Sequence, residues 1–158
     1  MRRRNLALVS AFALAVCLCG ALSAAQAKPD FTGSWKWNQA KSQVGPGFHP
    51  ITSLRFEQKG ETFAEEVSVD APGGAKTFTL KYALDGKETP GKVLGKSMTL
   101  SAKRDGDALV IRWRDEVEDY TVTRRLTLSA DGRTLEMTIR EIAPEHQRED
   151  RVVLERQQ

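Results

Sequence analysis

Apolar and polar residues alternate along almost the whole chain after residue 30. A period of two residues places every second side chain on the same face of an extended strand. Turn residues such as those at 85–86 and 131–132 interrupt the pattern roughly every 8 to 12 residues, which is typical of antiparallel strands joined by hairpins. The large residues predicted to dominate the inner face are Trp35, Trp37, Phe56, Phe63, Phe78, Tyr82, Trp113 and Tyr120.

One apolar face per strand predicts a single interior. The pattern gives about nine strands, and the short connections favour an up-and-down order over a Greek key. The sequence therefore predicts an all-β fold, an antiparallel up-and-down β-barrel of about 8–10 strands, rather than a two-layer sandwich, because closure removes exposed strand edges. Outside the leader, the pattern allows at most one helical turn, near residues 39–43.

The first 27 residues have the organisation of a signal peptide. Three arginines at positions 2–4 precede an apolar run at 6–22, and Ala-Gln-Ala at 25–27 is an A-x-A cleavage site. We expect a signal-peptide helix over 1–27 that is cleaved, leaving a single domain at 28–158 that is periplasmic or secreted and has no membrane span. An uncleaved anchor is the alternative.

Removal of the leader changes the charge and the cysteine content. The 24 Lys and Arg residues include the three leader arginines, so 21 basic residues would face 21 acidic residues in the remaining chain. This balance gives no reason to expect nucleic acid as a partner. Cys17 and Cys19 leave with the leader, so packing and hydrogen bonds, not disulfides, must hold the domain together.

The pair Gly33-x-Trp35, preceded by Phe31, resembles the opening of lipocalins and fatty-acid-binding proteins, the calycin superfamily. The segments at 124–139 and 151–156 resemble the closing strands of those barrels. The combination F-x-G-x-W-x-x-N-x-x-K-S, together with L-D-G-K-E-x-P, also resembles small exported bacterial proteins of unassigned function.

The resemblance implies that Trp35 packs at the closed end of the barrel under an arginine from a late strand. Arg151 is the first candidate for that arginine and Arg156 the second. The sequence differs from fatty-acid-binding proteins in two features that those proteins use to hold a ligand. About thirteen loop residues replace the two helices of intracellular fatty-acid binders, and Val153 stands where their Arg-x-Tyr carboxylate grip would have its tyrosine. The likeness therefore supports the fold better than any ligand.

Two ionisable residues lie in phase with apolar neighbours, Glu65 with Phe63 and Arg124 with Leu126. A buried charge needs a partner. One hypothesis is that Arg124 faces a cavity and holds the anionic head of an apolar ligand, with a hydroxyl from Tyr82 or Tyr120. The other is that Glu65 and Arg124 pair with each other, or that a bulge turns one of them to solvent.

Enzyme and metal motifs are absent from the sequence, so we expect no catalytic residue, metal or cofactor. His49 and His146 lie in predicted loops, and the acidic run at 115–119 lacks the spacing of a calcium loop. The expected function is non-catalytic binding of a small apolar or amphipathic ligand. The alternatives are a packed envelope interaction module and, more weakly, a barrel enzyme. The candidate ligand-binding residues are Arg124, Tyr82, Tyr120, Glu65 and Trp113.

Overall fold

The computed structural model describes residues 28–158, so the leader predicted at 1–27 lies outside the described residues. Ten antiparallel strands make up about two thirds of the described residues. Their bounds are β1 Gly33–Trp37, β2 Ile51–Lys59, β3 Thr62–Ala71, β4 Gly74–Ala83, β5 Thr89–Val93, β6 Lys96–Asp105, β7 Ala108–Asp115, β8 Tyr120–Leu128, β9 Thr134–Ala143 and β10 His146–Arg156.

The strands form one sheet that curls into a nearly closed barrel. Its order is β4-β3-β2-β1-β10-β9-β8-β7-β6-β5, so strands consecutive in sequence are paired, except β4 and β5 at the two ends of the sheet, and β1 pairs with β10. The end strands β4 and β5 are not paired with each other. Instead the segment that follows β4 contacts β6, where Asp85 bridges Lys103 and the Gly86 N–H donates to the Ala102 carbonyl over 2.9 Å. The predicted up-and-down barrel of 8–10 strands is confirmed.

The alternation of side chains explains why the sheet curls. In β8 the inward positions Val122, Arg124 and Leu126 are buried, whereas Thr123 and Arg125 between them face outward. The same alternation runs through the facing strands, so apolar side chains from the whole sheet can be removed from water only if the sheet wraps around them. Burial of this one face drives the closure.

The hairpins divide the barrel into two ends. The turns after β2, β4, β6 and β8 lie at the end where β1 begins, which we call the closed end. Large side chains pack there without solvent access: Phe31, Trp35, Phe56, Phe63, Leu109, Leu126, Leu135 and Leu154. The residues that precede β1 help to plug it, because the Arg104 guanidinium lies 5.2 Å from the Phe31 ring centroid and donates to the Pro29 carbonyl over 2.9 Å.

The alternation pattern does not predict β5. Its sequence, Thr-Pro-Gly-Lys-Val, reads as a loop, but proline is tolerated at the edge of a sheet, and β5 is an end strand. Gly91 has a packing reason: a Cβ at this position would lie 2.3 Å from Leu100 Cδ1 on β6. The Leu100 side chain therefore fills the space that a larger residue in β5 would occupy.

The connection from β1 to β2 contains one helical turn, which is the most that the sequence pattern allows in this segment. It is a 3-10 helix at Gln39–Lys41, and its cap is the Asn38 side chain, which accepts the Lys41 N–H. The rest of this connection, residues 42–50, runs across the other end of the barrel, which we call the open end. Among residues 28–158 there is no helix of the length and hydropathy needed to cross a membrane.

Candidate functional site

The open half of the barrel interior contains a cavity of about 380 Å³. This volume lies within the range of small-molecule sites, which is about 300–1,000 Å³. The β1–β2 connection contributes to its mouth through Gly47, Phe48 and His49. The apolar and aromatic side chains of the wall are Phe48, Ile51, Val67, Val69, Phe78, Val93, Leu94, Met98, Trp113, Tyr120, Val122, Met137 and Ile139.

An ion pair lies at the floor of the cavity. Arg124 of β8 donates from Nη1 to Glu65 Oε2 over 2.8 Å and from Nη2 to Glu65 Oε1 over 2.6 Å. Arg124 is 4 % exposed and Glu65 of β3 is 1 % exposed. The strands on which they lie face each other across the barrel, so each residue supplies the partner that burial of the other requires. The structure thus brings together the two charges that the sequence pattern places inside.

Two aromatic residues complete the floor. The Tyr82 hydroxyl donates to Glu65 Oε1 over 2.5 Å and accepts from the Trp113 indole N–H over 2.8 Å. The Arg124 guanidinium carbon lies 4.0 Å from the Trp113 ring centroid, within cation–π range. Four of the five candidate ligand-binding residues therefore form one network.

The network fixes the charge of its members. Burial raises the pKa of Tyr82, and the neighbouring carboxylate of Glu65 raises it further. Burial alone would lower the pKa of Arg124, but the charge and hydrogen bonds of Glu65, together with those of Tyr82, outweigh that effect and hold this pKa above its ordinary value. At neutral pH the raised pKa of Arg124 keeps its guanidinium charged, and the raised pKa of Tyr82 keeps its phenol neutral.

One hydrogen-bond donor at the floor has no protein partner. Arg124 uses Nη1 and Nη2 on Glu65, while its buried Nε has no hydrogen-bond acceptor among residues 28–158. Buried donors are almost always satisfied, by protein, water or a ligand. Arg124 lines the cavity, and its Nε is a donor at the floor that residues 28–158 leave unsatisfied.

The fifth candidate, Tyr120, lies at the rim among charged groups on β9 and β10. Arg148 Nη2 donates to Glu141 Oε2 over 2.8 Å, and Arg148 Nε makes an ion-pair contact of 2.9 Å with Asp150 Oδ2. Asp150 is 1 % exposed and accepts the Gly45 N–H through Oδ1 over 2.7 Å. Partial burial, together with the Glu141 carboxylate, raises the pKa of Tyr120 to about 12.

Lys96 occupies another part of the rim. Its ammonium lies 2.9 Å from Asp115 Oδ2 and also contacts Glu118. Asp115 Oδ1 accepts the N–H groups of Val117 and Glu118 over 2.9 and 3.2 Å. The acidic run at 115–119 thus forms a hairpin tip in which Asp115 is satisfied by backbone and by Lys96.

The closed end carries the tryptophan–arginine contact, but with Arg156 in place of the expected Arg151. The Arg156 guanidinium carbon lies 4.4 Å from the Trp35 ring centroid, and its Nε donates to the Gly132 carbonyl over 2.8 Å. Arg151 is on the outward-facing side of β10, 44 % exposed in its side chain, where it pairs with Glu136. The expectation for Arg151 is therefore wrong, because strand alternation gives β10 positions 150, 152, 154 and 156 the inward face.

Gly33 explains the spacing of the opening motif. A Cβ at Gly33 would lie 2.6 Å from Arg156 Nη1, and the φ of +147° is one that L side chains rarely adopt. The glycine leaves room for the guanidinium that covers Trp35, so Gly33-x-Trp35 and Arg156 form one packing unit.

Comparison with known proteins rests on structure, since no family model and no curated protein sequence matches the chain. A secretory abundant heat soluble protein from Ramazzottius varieornatus aligns with a TM-score of 0.62 at 12% identity, over 80% of this chain and 94% of that one. The fluorescent protein UnaG aligns at 0.59 and 16% identity, over 80% and 97%. The fatty-acid-binding protein of Manduca sexta aligns at 0.54 and 16% identity, over 80% and 99%.

The fold is a calycin-like barrel. At these identities the likeness concerns the fold alone. Intracellular fatty-acid binders are expected to have two helices between their first two strands. This calycin-like barrel has a 3-10 turn and an extended loop in the same place, between β1 and β2. Arg148 anchors that loop by donating from Nη1 to the Pro46 carbonyl over 3.0 Å.

Sequence reasoning missed four charged residues of this calycin-like barrel that line the cavity: Lys96, Glu141, Arg148 and Asp150. The alternation of apolar and polar residues in the sequence could have identified three of them as facing inward. Glu141 is in phase with Met137 and Ile139, while Arg148 and Asp150 are in phase with Val152 and Leu154. His146, expected in a loop, begins β10 on the exposed surface, with Nε2 2.9 Å from Glu141 Oε1, and His49 lies at the mouth.

Proposed function

We propose that this protein is an exported, non-catalytic binding protein that takes a small apolar or amphipathic molecule into the open half of its barrel. The observation that carries the proposal is the contrast between the two halves. The closed half is filled by large side chains, whereas the open half keeps about 380 Å³ of space behind an apolar wall. Protein interiors are normally close-packed, so a cavity of this size with a mouth suits a ligand.

The geometry of the polar groups supports binding without chemistry. Arg124, Glu65 and Tyr82 hold one another in a closed network, and Glu141, Asp115 and their partners do the same at the rim. Such groups orient a ligand, but they do not present an activated nucleophile or a free general base. Solved structures with this fold include a protein named for fatty-acid binding, which is consistent with the proposal.

The ligand proposal is tested with N-phenyl-1-naphthylamine, an uncharged fluorophore that brightens in apolar sites. We expect saturable binding of one molecule per barrel. Val122→Phe puts extra volume into the cavity, whereas Thr123→Phe, its neighbour on the outer face of β8, is the matched control. Val122→Phe should weaken binding at least tenfold and Thr123→Phe should leave it nearly unchanged. No binding by the wild type, or equal binding by both variants, would refute the proposal.

Export is proposed from the leader at residues 1–27, whose basic start, apolar run and A-x-A site support it. The full chain, expressed in a bacterium with a periplasm, should be recovered from that compartment with an intact mass that begins at Lys28. Substitution of Ala25 and Ala27 by bulky residues should block cleavage. An intact mass that retains Met1 for the wild type would contradict the proposal.

A packed interaction module is the second candidate, and one observation favours it. Large apolar side chains are exposed at or near the open end, among them Val117 at 95 % and Leu94 at 45 %. Leu94 also has a positive φ of 50°, unusual for a leucine. Failure of the fluorophore to enter the cavity would leave this function as the better one.

A further inference from the structure

The cations around the cavity are already neutralised by the protein. Arg124 is held by Glu65, Arg148 contacts Glu141 and Asp150, and Lys96 contacts Asp115 and Glu118. Three cations therefore face five carboxylates in the part of the chain that the structure describes. A ligand carboxylate that enters the cavity would find Arg124, Arg148 and Lys96 already paired with protein carboxylates, so none of these cations is a free counter-charge.

The ion pair at the floor of the cavity is the clearest case of a cation whose charge is already paired with a protein carboxylate. Among residues 28–158, Arg124 is the most buried of the cations that line the cavity, and its two terminal nitrogens are bound to Glu65 in a bidentate pair. A ligand carboxylate could reach them only by displacing Glu65, which would leave a protein carboxylate buried without its partner. Uncompensated burial of a charge is strongly unfavourable, so the pair acts against an anionic head group.

The same floor accommodates a neutral acceptor. The Arg124 Nε donor has no partner among residues 28–158, and a carbonyl or hydroxyl oxygen can accept from it without adding charge. Around it, the Trp113 ring, Val122 and Met137 provide apolar contact for the rest of the molecule. A neutral head group would therefore satisfy the Arg124 Nε donor and leave the ion pair intact.

We propose that the cavity selects an uncharged amphipathic ligand, an aliphatic molecule with a carbonyl or hydroxyl head, and discriminates against carboxylates. The proposal rests on the proposed binding function and names the ligand class for that site. Its basis is the Glu65–Arg124 pair together with the unpartnered Nε, which leave the floor electrically satisfied but short of one hydrogen-bond acceptor.

The test compares decanamide with decanoate, which are nearly identical in shape and differ by one negative charge. Each displaces N-phenyl-1-naphthylamine from the exported wild-type protein at pH 7.5, and decylammonium serves as the cationic counterpart. We expect decanamide to bind at least tenfold more tightly than decanoate. Equal or tighter binding of decanoate would overturn the selectivity but not the binding function. Tighter binding of decylammonium than of decanamide would overturn it as well.

A variant tests the cause. Glu65→Gln removes the counter-charge of Arg124, so decanoate should gain at least tenfold in affinity while decanamide changes much less. Glu66→Gln, the adjacent exposed residue on the outer face of β3, is the matched control and should leave the preference unchanged. If decanoate gains nothing in a folded Glu65→Gln protein, the ion pair is not the source of the selectivity. If the fluorophore fails to bind the wild type, the binding function itself fails, and the selectivity falls with it.

Discussion

Substitution of Glu65 by glutamine tests whether the buried ion pair is a structural requirement of the barrel. The change keeps the volume and one carbonyl oxygen but removes the negative charge that faces Arg124. Arg124 would then remain 4 % exposed, with the Trp113 face and a neutral amide as its closest partners. Because the guanidinium stays protonated under all ordinary conditions, it cannot escape by becoming neutral.

The expected destabilisation is about 3 kcal/mol, at the lower end of the range of about 3–5 kcal/mol for removal of one partner of a buried pair. Arg124→Met should destabilise by a similar amount, since it leaves the Glu65 carboxylate with the Tyr82 hydroxyl as its remaining donor. The double variant Glu65→Gln/Arg124→Met removes both charges, and it should lie within about 1.5 kcal/mol of the wild type.

The assay is urea unfolding followed by tryptophan fluorescence and, independently, by circular dichroism. The four proteins form a double-mutant cycle, in which two single losses of about 3 kcal/mol and a double loss of about 1.5 kcal/mol give a coupling energy of about 4.5 kcal/mol. Glu66→Gln on the outer face serves as the control and should leave the midpoint nearly unchanged. A loss below about 1 kcal/mol for Glu65→Gln, or additive effects in the double variant, would refute the reasoning.

Three further predictions concern the closed end and the titratable groups. Arg156→Met should destabilise the fold by about 2 kcal/mol in the same urea unfolding, because it loses the stack on Trp35 and the hydrogen bond to Gly132. Arg151→Met should have a much smaller effect, and the reverse order would contradict the assignment of Arg156 to the closed end. Absorbance at 295 nm should show no tyrosinate near pH 10 in the folded protein, because burial raises the pKa of both Tyr82 and Tyr120. The free energy of unfolding should fall above that pH, since the tyrosines of the unfolded chain ionise first. A rise in absorbance at 295 nm near pH 10 in the folded protein would contradict this. The hydrogen bond from Lys96 lowers the pKa of Asp115 below 3.8, so the contribution of the Asp115 carboxylate to stability is present at neutral pH and is lost as the pH falls below about 4. The difference in unfolding free energy between wild type and Asp115→Asn should therefore close below that pH. A difference that stays constant down to pH 2 would argue against this role of Asp115.

The fold could be predicted from the sequence because its cause is local and repeated. Each strand carries the period-two pattern, and each hairpin has its own turn residues, so the up-and-down order follows without long-range information. The exception is β5, whose Pro90 and Gly91 hide the strand. Its place depends on the Leu100 side chain of the next strand, a tertiary contact that the pattern of β5 alone does not contain.

The candidate site could be predicted only in part. Strand phase places Glu65 and Arg124 on inward faces, but their pairing depends on β3 and β8 facing each other across the barrel, which requires the closed structure. The choice between Arg151 and Arg156 depends on the register of β10, because a shift of one residue exchanges the inner and outer faces. Volume is the least predictable quantity: the same inward pattern gives a packed closed half and an open half with a cavity.

The most direct test of the central claim is to locate a bound probe by intermolecular nuclear Overhauser effects between decanamide and the methyl groups of the protein. The account predicts contacts from the probe to the cavity methyls of Val67, Val122 and Ile139, and none to Val110, which points away from the interior on β7. Contacts confined to outward-facing methyls, or an absence of contacts at saturating decanamide, would contradict the claim that the open half of the barrel is a ligand site.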